Sequence, residues 1–151
     1  MITTSAVYNI DFVTNAQGQN CKTAFRNQQN DALYLNFNGL THSFRVQYRD
    51  VQRLFFFNTS FLQKTVFRNE YGIITGMVIP DKIFIGSVHI DEKRLQFEIS
   101  GEAIKLSLIN PQTKVTLLQC ELNDELFSGD LDERNRHDLI HCIIFSFAWI
   151  L

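Results

Sequence analysis

The last stretch of the chain, HDLIHCIIFSFAWIL, has no polar face. A helix lying on a protein surface carries an apolar stripe and a polar side. At about 100° per residue, Leu139, Ile140, Ile143 and Phe147 fall on one side of such a helix. Phe145 and Trp149 fall nearly opposite, and only His141 and Ser146 interrupt the apolar surface. Each large apolar side chain favours burial by about 1.5–3 kcal/mol, so the segment must be covered almost all round. A bilayer offers that cover to a run of about 20 apolar residues; this run is shorter and contains a His. The cover has to come from the rest of the chain.

Nearly everything before this segment alternates with the period of a strand that has one dry and one wet face. LYLNF sets Leu33, Leu35 and Phe37 against Tyr34 and Asn36, and the Asn38-Gly39 pair that follows signals a hairpin. SFRVQYR sets Phe44, Val46 and Tyr48 against Arg45, Gln47 and Arg49. RLQFEI turns Leu95, Phe97 and Ile99 inward, and IKLSL does the same with Ile104, Leu106 and Leu108. RLFFF and KIFIGSV are apolar on both faces, which requires a covered outer surface or an exposed patch with a purpose. Turn signals recur at short intervals (RNQQND, NEYG, IPD, DEK, SGE, NPQ), as in a sandwich or barrel rather than alternating β-α units.

A wide barrel threaded by the apolar helix meets both demands. The expectation is therefore a mainly β single domain over residues 1–151. It is a closed or nearly closed antiparallel barrel of about 10–12 strands, enclosing a hydrophobic C-terminal helix over about residues 136–151. Asn135 and Asp138 are read as the pair that opens this helix. Residues 1–30 are read as a less ordered first hairpin with a mobile loop, TNAQGQNCKT. The 14 Phe suit strands and a thick core.

The net charge of −2 is too weak to attract nucleic acid, whose binders carry a clustered basic surface. Cys21, Cys120 and Cys142 are odd in number and widely spaced, which fits reduced thiols in a cytosol. MITTSAVYNIDFV has no basic segment followed by a long apolar run, so no signal peptide is indicated. Cytoplasmic residence, with peripheral membrane contact as an extension, is the expectation.

Candidate chemistry is sparse. HDLIH has the spacing of the zinc-protease HExxH, and His137 and His141 share a helical face as two ligands must. Asp in place of Glu is one methylene short, no third ligand is evident, and a metal-free pair in which His141 is a core residue is preferred. His89 reads as an ordinary wet-face residue. ISGE and FSGD lack the flanking glycines of a nucleophile elbow, and there is no Gly-rich phosphate loop. With no nucleophile, base and orienter scheme, no enzymatic activity and no cofactor are expected. Arg45 and Arg49 lie on one wet strand face that Arg53 extends, a candidate contact for lipid headgroups, nucleotides or an acidic partner.

Many short strands followed by an all-apolar terminal helix resemble the Tubby-like barrel superfamily, which includes Tubby C-terminal domains, phospholipid scramblases and LURP-one-related proteins. LQKTVFRNEYGIITGMVI looks like the recurrent hairpin of LURP-one-related chains, and HDLIHCIIFSFAWI looks like their closing helix. The resemblance covers Asp31 to Leu151 and implies a twelve-stranded barrel around the helix. No cysteine-rich palmitoylation stretch is present, and DLDERNRHD lacks the glycine and terminal Glu of an EF-hand-type loop. The resemblance implies a non-catalytic binding or scaffold module that contacts lipid headgroups or a protein partner on the barrel exterior. The alternatives are a lipocalin-like ligand-carrying barrel and an adaptor subunit docking through LFFF. The lipocalin Gly-x-Trp is missing, since the one Trp is Trp149.

Overall fold

The computed structural model describes residues 6–17, 19–60, 64–82, 85–100, 105–122 and 131–151, with the backbone alone for 12–17. Its strands are β1 (Ala6–Gln17), β2 (Asn20–Asn27), β3 (Ala32–Asn38), β4 (Ser43–Tyr48), β5 (Val51–Thr59) and β6 (Thr65–Arg68). They continue as β7 (Ile74–Lys82), β8 (Ile85–Ile90), β9 (Lys93–Ser100), β10 (Lys105–Ile109) and β11 (Thr116–Glu121). A single described helix follows, α1 (Glu133–Ile150). Each strand pairs with its sequence neighbours, and β11 returns to β1 to close the barrel.

The barrel is not antiparallel throughout. β1 and β11 pair in parallel, Ala6↔Leu118 to Tyr8↔Cys120. An up-and-down chain of eleven strands leaves its first and last strands pointing the same way, so closure with that number requires one parallel pair. The stretch read as a loop at 14–23 is largely paired strand, with Thr14↔Lys22 and Gln17↔Asn20. The inward residues are those the alternation predicts: Leu33, Leu35 and Phe37; Phe44 and Val46; Leu95 and Phe97; Leu106 and Leu108 are all buried. Ile104 lies outside the described residues.

Eight strands leave room inside a barrel for side chains only. Eleven open enough space for a helix about 10 Å across. α1 enters at one end, where Asn135 packs on Gly39, and leaves at the other, beside Lys93 at the start of β9. Its residues from Leu139 to Ala148, apart from the half-buried Ile140, are buried. Phe145 reaches one wall, stacked on Phe67 at 4.1 Å and edge-on to Phe55 at 5.0 Å. Two residues on, Phe147 reaches the opposite wall, 5.1 Å from Tyr8 and 5.2 Å from Phe25. Phenylalanine thus fills the annulus between helix and sheet. Trp149 is half-buried at the exit end, 6.3 Å from Phe55.

The helix begins earlier than expected. Asp132 is the N-cap, its carboxylate accepting the Asn135 N–H at 2.8 Å. Asn135 lies inside the first turn, and Asp138 faces the barrel wall instead of capping. At the exit end the helix has no basic residue in its last turn. Lys93 donates to the carbonyls of Ala148 and Leu151, supplying the positive charge that a helix C-terminus favours from a neighbouring strand. The buried Ser146 donates to the Cys142 carbonyl at 2.7 Å.

Two glycines let the wall close on its contents. Gly76 of β7 faces inward; a Cβ there would collide with the His89 carbonyl and come within 2.9 Å of the Phe145 ring. Gly39 makes room for the Asn135 amide, and the positive φ of its hairpin sits at His42 instead (51°).

Ile144→Asp should abolish soluble expression, since an unpaired charge at this fully buried position has no water to turn to; soluble protein with a native circular dichroism spectrum would refute the enclosed helix. Gly76→Ala should lower stability by about 2 kcal/mol, read as a shifted urea midpoint at unchanged slope.

Candidate functional site

Inward strand positions are apolar almost everywhere; Thr23 departs from this in the middle of β2 and Arg53 at the exit rim, and two further departures stand together at the entry end. Thr59 and Thr65 form a cross-strand pair of β5 and β6, with the inward parity of Phe57 and Phe67. Facing them, Asp138 and His141 lie one turn apart on α1, on the same helical face.

These four side chains form one hydrogen-bonded line. Thr59 Oγ1 donates to Asp138 Oδ1 at 2.7 Å. A carboxylate only accepts and a hydroxyl has one proton, so Thr59 has none left for Thr65 at 3.1 Å; Thr65 must donate to it. Thr65 Oγ1 is then an acceptor toward His141 Nδ1 at 2.7 Å, so the imidazole proton sits on Nδ1. The other ring nitrogen, Nε2, is left with a bare lone pair. His137 lies beside it, ring centroids 4.1 Å apart, and donates from its own Nδ1 to Asp138 at 3.3 Å.

Burial drives the His141 pKa down to about 3, helped by His137 and opposed by Asp138. The ring is neutral at physiological pH. Burial pushes Asp138 up, but the hydrogen bonds from His137 and Thr59, with the charges of His137 and Arg134, outweigh it and hold the carboxyl below its ordinary value. The line is thus anionic at Asp138 and neutral at His141.

The group borders a cavity of ≈ 1340 Å³ at the barrel entry. Phe97, Ile99, Ile140 and Ile144 form its apolar side. Lys82, Arg134 and Arg136 stand at its rim with Asp81, Asp132 and Glu133.

The zinc-like HDLIH spacing brings the two imidazoles together on one helical face, as the sequence predicts. His137 and His141 are adjacent, but His141 Nδ1 and Asp138 are engaged by threonines, and no group of three metal-binding side chains exists among the described residues. Cys142 and Cys120 are buried, and burial raises both thiols well above the ordinary value. The two threonines were missed because they sit in stretches read only for apolar parity; a polar residue at an inward position was the available signal.

The arginine stripe does not survive as a unit. Arg45 points outward from β4 beside Asn36 and Leu54. Arg49 lies past the strand end in the β4–β5 turn at φ 55°, paired with Asp31 at 3.1 Å. Arg53 is register partner to the buried Val46, which gives it inward parity at the barrel rim, where it is exposed. The strand alternation broke at the turn, so the residues after it changed face. His89 is half-buried on the outer face of β8 and accepts from Arg94 at 2.7 Å, the wet-face role expected of it.

A different surface stands out at the exit end. In the β6–β7 turn Tyr71 is 83% exposed and Ile73 61%, with Ile74 beyond them at 53%. The turn is held firmly: the Asn69 side chain accepts from Tyr71 N and Ile73 N, and Gly72 takes φ 79°. Next to it on the outer face, Phe56 (40% exposed), Arg68 and Ile74 are successive register partners across β5, β6 and β7.

No helix among the described residues is long and apolar enough to cross a membrane. Comparisons with protein-family models, with curated proteins and with solved structures each find no match.

Stability should fall on acidification. The folded state holds His141 neutral down to about pH 3, whereas an unfolded histidine takes up its proton near pH 6.5. Between those limits the unfolded chain binds the extra proton, so this group costs about 1.4 kcal/mol per pH unit as pH falls below about 6.5, levelling near 3. Urea denaturation from pH 7 to 4.5 measures it; a midpoint independent of pH would contradict the neutral, buried assignment.

Proposed function

We propose that the chain is a non-catalytic binding module of Tubby-like type, working from the outside of its barrel against anionic lipid headgroups, with the β6–β7 turn as its contact. The observation that carries this reading is the rigid, solvent-facing Tyr71-Gly72-Ile73 tip. Large apolar side chains on a turn already ordered by Asn69 lose little further entropy on insertion, and tyrosine suits the level of the headgroups.

Cationic side chains surround the tip. Arg68 adjoins Ile74, and Arg53 lies toward the same end of β5. Neither makes an ion pair among the described residues. A Lys or Arg near an anionic membrane surface contributes about 1 kcal/mol. Glu70 stands in the tip itself beside Tyr71 and Asp50 in the neighbouring β4–β5 turn, so the charge term is small and apolar contact provides much of the affinity. Arg49, held by Asp31 and lying 5.0 Å over the Tyr48 ring, contributes less than its neighbours. Arg45 faces a separate outer groove of ≈ 240 Å³ with Asn36, Gln47 and Gln52.

The filled centre weighs against a lipocalin-like carrier, because Phe145 and Phe147 occupy the space its cargo would need. The closed barrel around an apolar helix supports the Tubby-like comparison, and a cytoplasmic protein with peripheral membrane contact accords with it.

Vesicle sedimentation tests the proposal. The protein should pellet with vesicles containing phosphatidylserine, less with phosphatidylcholine alone, and less again at high salt. Tyr71→Ser together with Ile73→Ser, both at exposed positions, should weaken binding at least tenfold with an unchanged melting temperature. Binding unaffected by the double variant would refute the tip as the contact.

A further inference from the structure

The cavity at the barrel entry and the turn at its exit lie at opposite ends of the fold, and the entry has its own chemistry. Among the described residues that line the cavity is His141, whose Nε2 is the nitrogen left outside the hydrogen-bonded line. The residue is only 5% exposed, yet this nitrogen has no hydrogen-bond partner among the described residues and is not sealed off from the cavity that the ring lines. The Asp138–Thr59–Thr65 line fixes the proton on the opposite nitrogen, so Nε2 can only accept. Water reaches this nitrogen in the free protein, so a ligand that donates to it exchanges one hydrogen bond for another and draws its affinity from the apolar surface beside it.

We propose that the barrel entry binds an uncharged amphiphile, with its hydroxyl group donating to His141 Nε2 and its apolar chain lying against the half-buried Ile99 and Ile140. The chemical class follows from what the cavity offers. An ionised carboxylate or phosphate would place its lone pairs against another lone pair, with the Asp138 carboxylate behind it. Because burial keeps the ring neutral above about pH 3, no imidazolium forms to attract such an anion. Among the described lining residues the charges do not favour an anion, since Lys82, Arg134 and Arg136 face Asp81, Asp132, Glu133 and Asp138. An ammonium could donate, but it would lose its hydration against an apolar wall. An alcohol donates one proton, carries no charge and leaves its chain to the two isoleucines. The cavity is larger than most small-ligand sites, so a chain of ten carbons has room.

The whole chain in solution tests this with 1-decanol, decanoate at pH 8 and decane as probes. Long-range proton–nitrogen spectra of the histidine rings should show Nδ1 protonated and Nε2 bare in the free protein. Decanol should shift the His141 Nε2 resonance upfield and leave Nδ1 in place, saturably. Decanoate should bind at least tenfold more weakly, and decane should leave Nε2 unmoved. His141→Phe should weaken decanol binding about tenfold. If that variant fails to fold because Thr65 loses its donor, the nitrogen spectra of the unaltered protein decide the matter.

A proton found on Nε2, equal binding of decanoate, or an Nε2 resonance unmoved by decanol because water alone satisfies it would each overturn the proposal. The site is independent of the membrane contact. The Tyr71→Ser and Ile73→Ser variant should bind decanol unchanged, and loss of vesicle binding alone would leave the entry site standing.

Discussion

Enclosure of α1 is the constraint on which everything else depends. Its side chains from Cys142 to Ala148 are all buried, so the surrounding wall must be continuous, apolar and wide enough to admit a helix. A helix satisfies its own backbone polar groups along its length, and a closed sheet does the same around its circumference. Nesting one inside the other leaves only the ends of each with unmet hydrogen-bonding demands. The strand number follows from the width required, and the parallel β1–β11 seam follows from the strand number.

A rod that is apolar on all sides has a second difficulty. Non-directional burial hardly distinguishes one rotation or depth of the helix from another. Specific contacts at the ends and one notch in the wall make the choice. Asp132 caps the start, Asp138 and His141 engage Thr59 and Thr65, and Lys93 holds the final carbonyls. Gly76 leaves a notch that only the Phe145 ring fills. Moving the helix by one turn would break all of these together and strand buried polar groups, so these few polar residues decide register while the phenylalanines provide cohesion.

This division explains what was legible in the sequence. Alternation in β3, β4, β9 and β10 is a direct record of one dry face and one wet face, and the lack of a polar face over 139–150, where only His141 and Ser146 interrupt, records enclosure. The Thr–His line was not legible, because it joins residues 59, 65, 138 and 141 through a register that no local pattern encodes. The same limit applies to the arginines. Parity carries along one strand but is reset by each turn, and Arg49 at positive φ is where the count from Arg45 to Arg53 failed. The helix start was misplaced because a cap is decided by which side chain reaches the free amides. Asp132 and Asn135 are both good capping types, and only the geometry selects between them.

A barrel filled by its own helix cannot enfold a ligand at its centre, nor can it open without exposing the aromatic annulus. Recognition is therefore confined to places where the packing stops. At the exit end it stops at a turn rigid enough to hold Tyr71 and Ile73 out in water. At the entry it stops beside a neutral imidazole whose hydrogen bonds run back into the wall. The first surface is convex, apolar and flanked by positive charge; the second is concave and apolar, and the charges of its described lining residues do not favour an anion. The two surfaces differ in shape and polarity, which is why the proposals made for them differ in chemistry.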